Sequence, residues 1–149
     1  MKIILIILLI PVIVGLIYFF YLGHKSQTSS APGLVNSKLA PCPDKPNCIC
    51  TEFADDQSHF IDAIKSQSLD LDMITKAIES TGGIINTTQN NYIAATYTSR
   101  IFKYVDDFEI RIDRENQLIH IRSASRVGHS DMGANIKRIE NFKNALGLL

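Results

Sequence analysis

The sequence has no charged side chain between Ile3 and Gly23, no excess of basic residues beyond that run, and only three cysteines. The first absence excludes a soluble N-terminal segment. The 21 residues IILIILLIPVIVGLIYFFYLG, at about 1.5 Å each, span a hydrocarbon layer of about 30 Å. The second absence removes nucleic acid as an expected partner. With Lys2 and Lys25 flanking the apolar run, residues 26–149 hold 13 basic against 15 acidic groups, whereas sequence-independent nucleic-acid binding draws on surplus Lys and Arg that displace counterions. No G-x-S-x-G, H-E-x-x-H or phosphate-cradling glycine loop occurs, so neither a nucleophile elbow nor a zinc-protease helix is indicated. No cofactor or resident metal is expected, and the reading leans away from an enzyme.

The apolar run itself has membrane character. Pro11 and Gly15 suit a membrane helix better than an exposed soluble one, and Tyr18, Phe19, Phe20 and Tyr21 form an aromatic cluster fit for one interface. The rival is a cleavable signal peptide. The run exceeds the usual apolar region of 7 to about 15 residues, and the small-residue site Ser29-Ser30-Ala31 lies far downstream. An uncleaved transmembrane anchor over 1–24 is expected. Lys2 and the α-amino group oppose His24 and Lys25 in a nearly balanced contest. The expected sense is N-terminus inside, giving a single-pass inner-membrane protein with a periplasmic or other extracytoplasmic domain.

Residues 25–40, KSQTSSAPGLVNSKLA, have the small polar composition of a flexible tether. PCPDKPNCICTEF follows, where three prolines stiffen a loop in which Cys42 can meet Cys48 or Cys50. A disulfide of either pairing suits an oxidising compartment. The alternative is a zinc site of Cys42, Cys48, Cys50 and His59, but C-x5-C-x-C is not the spacing with which a cysteine pair embraces zinc.

The remaining residues, 41–149, suffice for one modest domain. Leu71, Ile74, Ala77 and Ile78 recur at helical spacing between a cap at Ser68 or Asp70 and a stop at Gly82-Gly83. IINTT and YIAATYTS form a hairpin around Gln89-Asn90-Asn91, followed by the strands FKYV, FEIRID and QLIHIRSAS. A turn at Glu115-Asn116 places Asp113 opposite Leu118, Ile112 opposite Ile119, and Ile110 opposite Ile121. On the other face Glu109 meets Arg122, Arg111 meets His120, and Asp107 lies diagonal to Arg122 and Arg126. Ile136, Ile139, Phe142, Ala145 and Leu146 then recur at helical spacing, with Ser130 or Asp131 as cap. The expected class is α+β: a four- or five-stranded antiparallel sheet with two packing helices, preceded by one transmembrane helix.

The densest chemistry lies in IHIRSASRVGHSDMGANIKRIE. Strand alternation puts His120, Arg122, Ala124 and Arg126 on one face, and Ser123 and Ser125 on the other. Two guanidinium groups near a helix N-terminus offer forked donors to phosphate or carboxylate. The bland alternative is an ion-paired sheet face in which Glu109 and Asp107 satisfy the arginines and Asp131 occupies the helix end. For catalysis, Asp106, Asp107, His129 and Asp131 are candidate acids or bases, and Ser123 or Ser125 a candidate nucleophile.

APCPDKPNC, YTSRIFKYVDDFEIRID and IHIRSASRVGHSDMGANIKRIE together resemble the domain-of-unknown-function family 1499 from about Leu39 to Leu146. Members are found in bacterial and plastid-bearing lineages, often behind a membrane or export segment. The resemblance implies that Cys42, Asn47, Cys48, Ser99, Arg100, Asp106, Asp107, Arg122, Ser123, Ser125, Arg126, Gly128, Asp131, Gly133, Asn135 and Arg138 matter. The chain departs from the pattern at Ile49-Cys50, where the family usually has a serine pair, and at His129, where it commonly has an aromatic.

The expected function is that of a membrane-tethered binding or accessory module. Its ligand-binding candidates are Arg100, Asp106, Asp107, Arg122, Ser125, Arg126, Asp131, Asn135 and Arg138, and its expected ligand is an anionic small molecule, a lipid headgroup or an envelope partner. The alternatives are a small hydrolase using Asp106 or Asp107 as acid/base, and a scaffold subunit making contact through its membrane helix.

Overall fold

A computed structural model describes residues 2–148, with side chains described from Ile7 to Leu148. Helix α1, Lys2–Gln27, contains Pro11 and is long and apolar enough to cross a membrane. After it come β1 (Leu34–Val35) and β2 (Lys38–Leu39), which pair as a small hairpin, then β3 (Cys48–Cys50), β4 (Ile64–Lys65) and helix α2 (Leu71–Ser80). The meander β5 (Ile84–Gln89), β6 (Tyr92–Thr98), β7 (Val105–Asp113) and β8 (Leu118–Ser125) leads into helix α3 (Ala134–Ala145).

The fold is α+β, as expected, with a larger sheet. Its strand order is β3-β8-β7-β6-β5, with β4 also on β8. The sixfold count arises because Cys48–Cys50 and Ile64–Lys65 share the free edge of β8, opposite Arg122–Ala124 and Leu118–Ile119 respectively. The β7–β8 register agrees with the sequence reading from Asp113 with Leu118 to Glu109 with Arg122, including Arg111 with His120, while Arg114 and Gln117, expected to face each other beside the turn, lie within it. FKYV differs: it stays in loop until Val105, and Lys103 takes a positive φ of 58° that breaks strand geometry.

Helices α2 and α3 cover one sheet face. Ile74, Ile78, Ile139 and Phe142 pack there against Phe108, Ile110, Ile119 and Ile121, all at most 1 % exposed. Asp70 caps α2 by accepting from the Asp72 N–H. Residues 25–40, expected as a flexible tether, include the last turn of α1 and the β1–β2 hairpin. Although the stretch has few apolar residues, Leu39 and Ala40 are buried on the other sheet face with Cys50, Tyr92 and Ala94. The α1 end is likewise fastened. Ser26 is fully buried, donates to the Gly23 carbonyl, and accepts at Oγ from the Val105 N–H.

Candidate functional site

The pleat of β7 and β8 sorts the candidate residues onto two faces. On the hairpin-covered face, Glu109 is completely buried. Its Oε1 accepts from the Tyr92 hydroxyl (2.7 Å) and the Gly33 N–H (3.0 Å), and its Oε2 accepts from Arg122 Nη1 (2.9 Å). Burial pushes the Glu109 carboxyl above its ordinary range, and the donors from Tyr92, Arg122 and Gly33 pull it back. The Tyr92 phenol is pushed up by burial and by its bond to Glu109. Beside this group, Arg126 grips Asp107 with Nε and Nη2 at 2.7–3.1 Å, and its Nη1 donates to the Ser26 carbonyl at 3.0 Å. That last bond meets one of the orphan carbonyls of the α1 C-terminus, where a cation is favoured.

The expected anion grip of Arg122, Arg126 and a helix N-terminus is not assembled. The guanidinium groups and the start of α3 lie on opposite faces of the sheet, and Glu109 and Asp107 hold the arginines. Asp131 occupies the helix end: its carboxylate accepts from the Gly133 N–H (3.2 Å) and the Asn135 N–H (2.7 Å), acting from two residues before the Gly133 cap.

On the helix-covered face a second network forms. Asn135, 1 % exposed, donates from Nδ2 to the Asn47 carbonyl (2.9 Å) and Ser125 Oγ (3.3 Å), and accepts at Oδ1 from Ser123 Oγ (2.6 Å) and Arg138 Nη1. Arg138 Nη2 donates to Asp106 Oδ2 (2.7 Å), and its guanidinium lies 4.6 Å from the Tyr97 ring centroid. Asp106 and Asp107 therefore each have an arginine partner and point to opposite sides, so the pair does not act as one acid/base unit. Arg100 is exposed on the loop between β6 and β7, with no ion pair among the described residues.

The cysteines resolve the open pairing. Cys42 and Cys48 form the disulfide, which takes two of the four residues of the zinc alternative. Cys50 is free and buried, and burial raises its thiol above the ordinary value, the opposite of the lowering that marks a reactive cysteine. His59 instead closes the loop: Nδ1 meets Asp56 Oδ2 at 2.6 Å and Nε2 meets the Lys45 carbonyl at 2.9 Å.

One cavity joins α1 to the helix-face network. About 450 Å³ in volume, it is walled by Phe19 and Leu22 of α1, Tyr104, Val127 and Met132, and reaches Asp106 and Ser125 on the sheet. Asp106, Ser125 and Asp131 were legible as candidates; Phe19 and Leu22 carried no signal beyond membrane hydrophobicity. A second cavity of about 460 Å³ borders Asp107, Arg126 and Tyr92 on the other face. There Arg126 and Asp107 are bonded to each other, Arg126 also to Ser26, and Tyr92 to Glu109.

A family model described as a protein of unknown function (DUF1499) matches residues 38–146. No curated protein matches the chain.

Proposed function

Since the chain belongs to the DUF1499 family, whose description carries no activity, we propose from the site itself a membrane-anchored module that holds one amphiphilic lipid between its anchor and its sheet. The observation that carries this reading is the cavity wall, apolar at Phe19, Leu22, Val127 and Met132 and polar at Asp106 and Ser125. An acyl chain matches the first part and a polar head the second.

Arg122 and Arg126 are held on the other face, the cavity lining contains no Arg or Lys, and its carboxylates are Asp106, paired with Arg138, and Asp131, bonded to the start of α3. A head that donates hydrogen bonds, through hydroxyl or ammonium groups, fits better than a bare phosphate. Retention of the anchor is supported by the Ser26 contacts. Cleavage at Ala31 would strip partners from the Val105 N–H and Arg126 Nη1, at about 1–3 kcal/mol for each buried group left unpaired. The disulfide supports an extracytoplasmic domain at the inner membrane.

The test is native mass spectrometry of the full chain in detergent, offered phosphatidylethanolamine or phosphatidic acid. The parent should retain the ethanolamine lipid and discriminate against phosphatidic acid. Ala134→Trp, which puts an indole into the cavity from an exposed position at the start of α3, should lose it while keeping its circular dichroism. Equal retention by parent and variant, or none by the parent, would refute the reading.

A further inference from the structure

We infer that the β6–β7 loop, residues 99–104, and the tip of the β8–α3 loop around Met132 are immersed in the bilayer surface, so that the domain lies on the membrane its helix crosses. The inference rests on the retained anchor proposed above and does not depend on what fills the cavity. Counting about 20 residues from the charged Lys2 puts the far edge of the hydrocarbon layer near Leu22. The β6–β7 loop reaches past that edge. The Phe102 ring centroid is 5.3 Å from that of Phe19 and 5.2 Å from that of Phe20. Its backbone sits so close to the helix that a Cβ on Gly23 would come 1.7 Å from the Phe102 carbonyl oxygen.

The side chains around this contact match an interface. Ile101 is 71 % and Met132 99 % exposed, apolar groups that no other part of the described chain covers. Arg100 and Lys103, both exposed, flank the Ile101-Phe102 pair, where long basic chains place charge among headgroup phosphates while their stems stay in the apolar layer. The Tyr104 ring, 5.8 Å from that of Phe102, adds an amphipathic ring of the kind enriched at headgroup level. Three hydrogen bonds fasten this side of the domain to the helix end: Val105 N–H to Ser26 Oγ, Arg126 to the Ser26 carbonyl, and Gln27 Nε2 to the Lys103 carbonyl. The occupant of the surface is therefore the bilayer that hosts α1.

The chain contains no tryptophan, so one introduced indole reports alone. Full-length Ile101→Trp, Met132→Trp, Ile13→Trp and Glu115→Trp variants would be reconstituted into vesicles of phosphatidylcholine with brominated acyl chains. Ile13 marks the anchor, and Glu115, in the β7–β8 turn, marks the opposite end of the strands. Blue-shifted emission and strong quenching at 101, 132 and 13, with neither at 115, is the expected result. Quenching at 13 without quenching at 101 and 132 would overturn the docking while the anchor stood, and would leave that face to water or to a protein. Absence of quenching at 13 as well would overturn the anchor and the docking together.

Discussion

Glu109 has no exposed surface, yet it accepts from three donors, one of them its charge partner Arg122, so its energetics are those of a buried ion pair. Removing one member leaves the other uncompensated, which costs about 3–5 kcal/mol. Arg122→Met should therefore destabilise the full chain by about that amount in thermal unfolding. Adding Glu109→Gln should recover most of the loss, because the amide carbonyl still accepts from Tyr92 and Gly33. His59 gives a pH-dependent counterpart. Burial lowers its proton affinity, but the bonds to Asp56 and the Lys45 carbonyl outweigh that, and its pKa ends above the ordinary 6.5. A folded-state value above the unfolded one means that its stabilisation is complete below the ordinary value and is lost as pH rises through the raised one. The melting temperature should fall as pH rises above the ordinary histidine range of about 6.5, and His59→Gln should reduce that slope.

Among the elements, the β7–β8 hairpin was the most legible. Its apolar alternation and the charge pairs on its hairpin-covered face demand one register, and a slip by one residue would turn Arg111 and Asp113 towards the helix-packed apolar core. The short strands β3 and β4 had no such signal. Two or three residues cannot display a period of two, and both exist because β8 leaves an edge to fill. Loop 42–48 was legible as a staple but not as a support. Its Asn47 carbonyl accepts from Asn135 Nδ2 and from the Ser125 N–H, so the disulfide steadies the seat of α3. Reduction should lower stability by about 2 kcal/mol on the chain-entropy model, read as a drop in melting temperature with added reductant. The α1–loop contact depends on Gly23. Gly23→Val should free residues 99–104 and speed tryptic cleavage after Arg100 and Lys103 by about tenfold, equivalent to roughly 1.4 kcal/mol of local stability.

Across the whole molecule, the sheet separates what proximity in sequence had joined. Asp106 and Asp107 are neighbours in the chain and belong to different networks, because successive strand residues point to opposite faces. The resemblance named Asn135 and Arg138, while helical periodicity saw only the apolar stripe that runs beside them. The cavity was legible only in part, since its Phe19 and Leu22 wall exists through a tertiary contact between α1 and a loop. That contact has a mechanical consequence. A membrane helix longer than its bilayer is thick accommodates the excess by tilting among other means, and with α1 as the proposed anchor the helix end is bonded through Ser26 to Val105 and Arg126. The joint leaves α1 no slack, so a tilt of the helix turns the domain with it, and bilayer thickness becomes a lever on the angle at which the whole sheet stands.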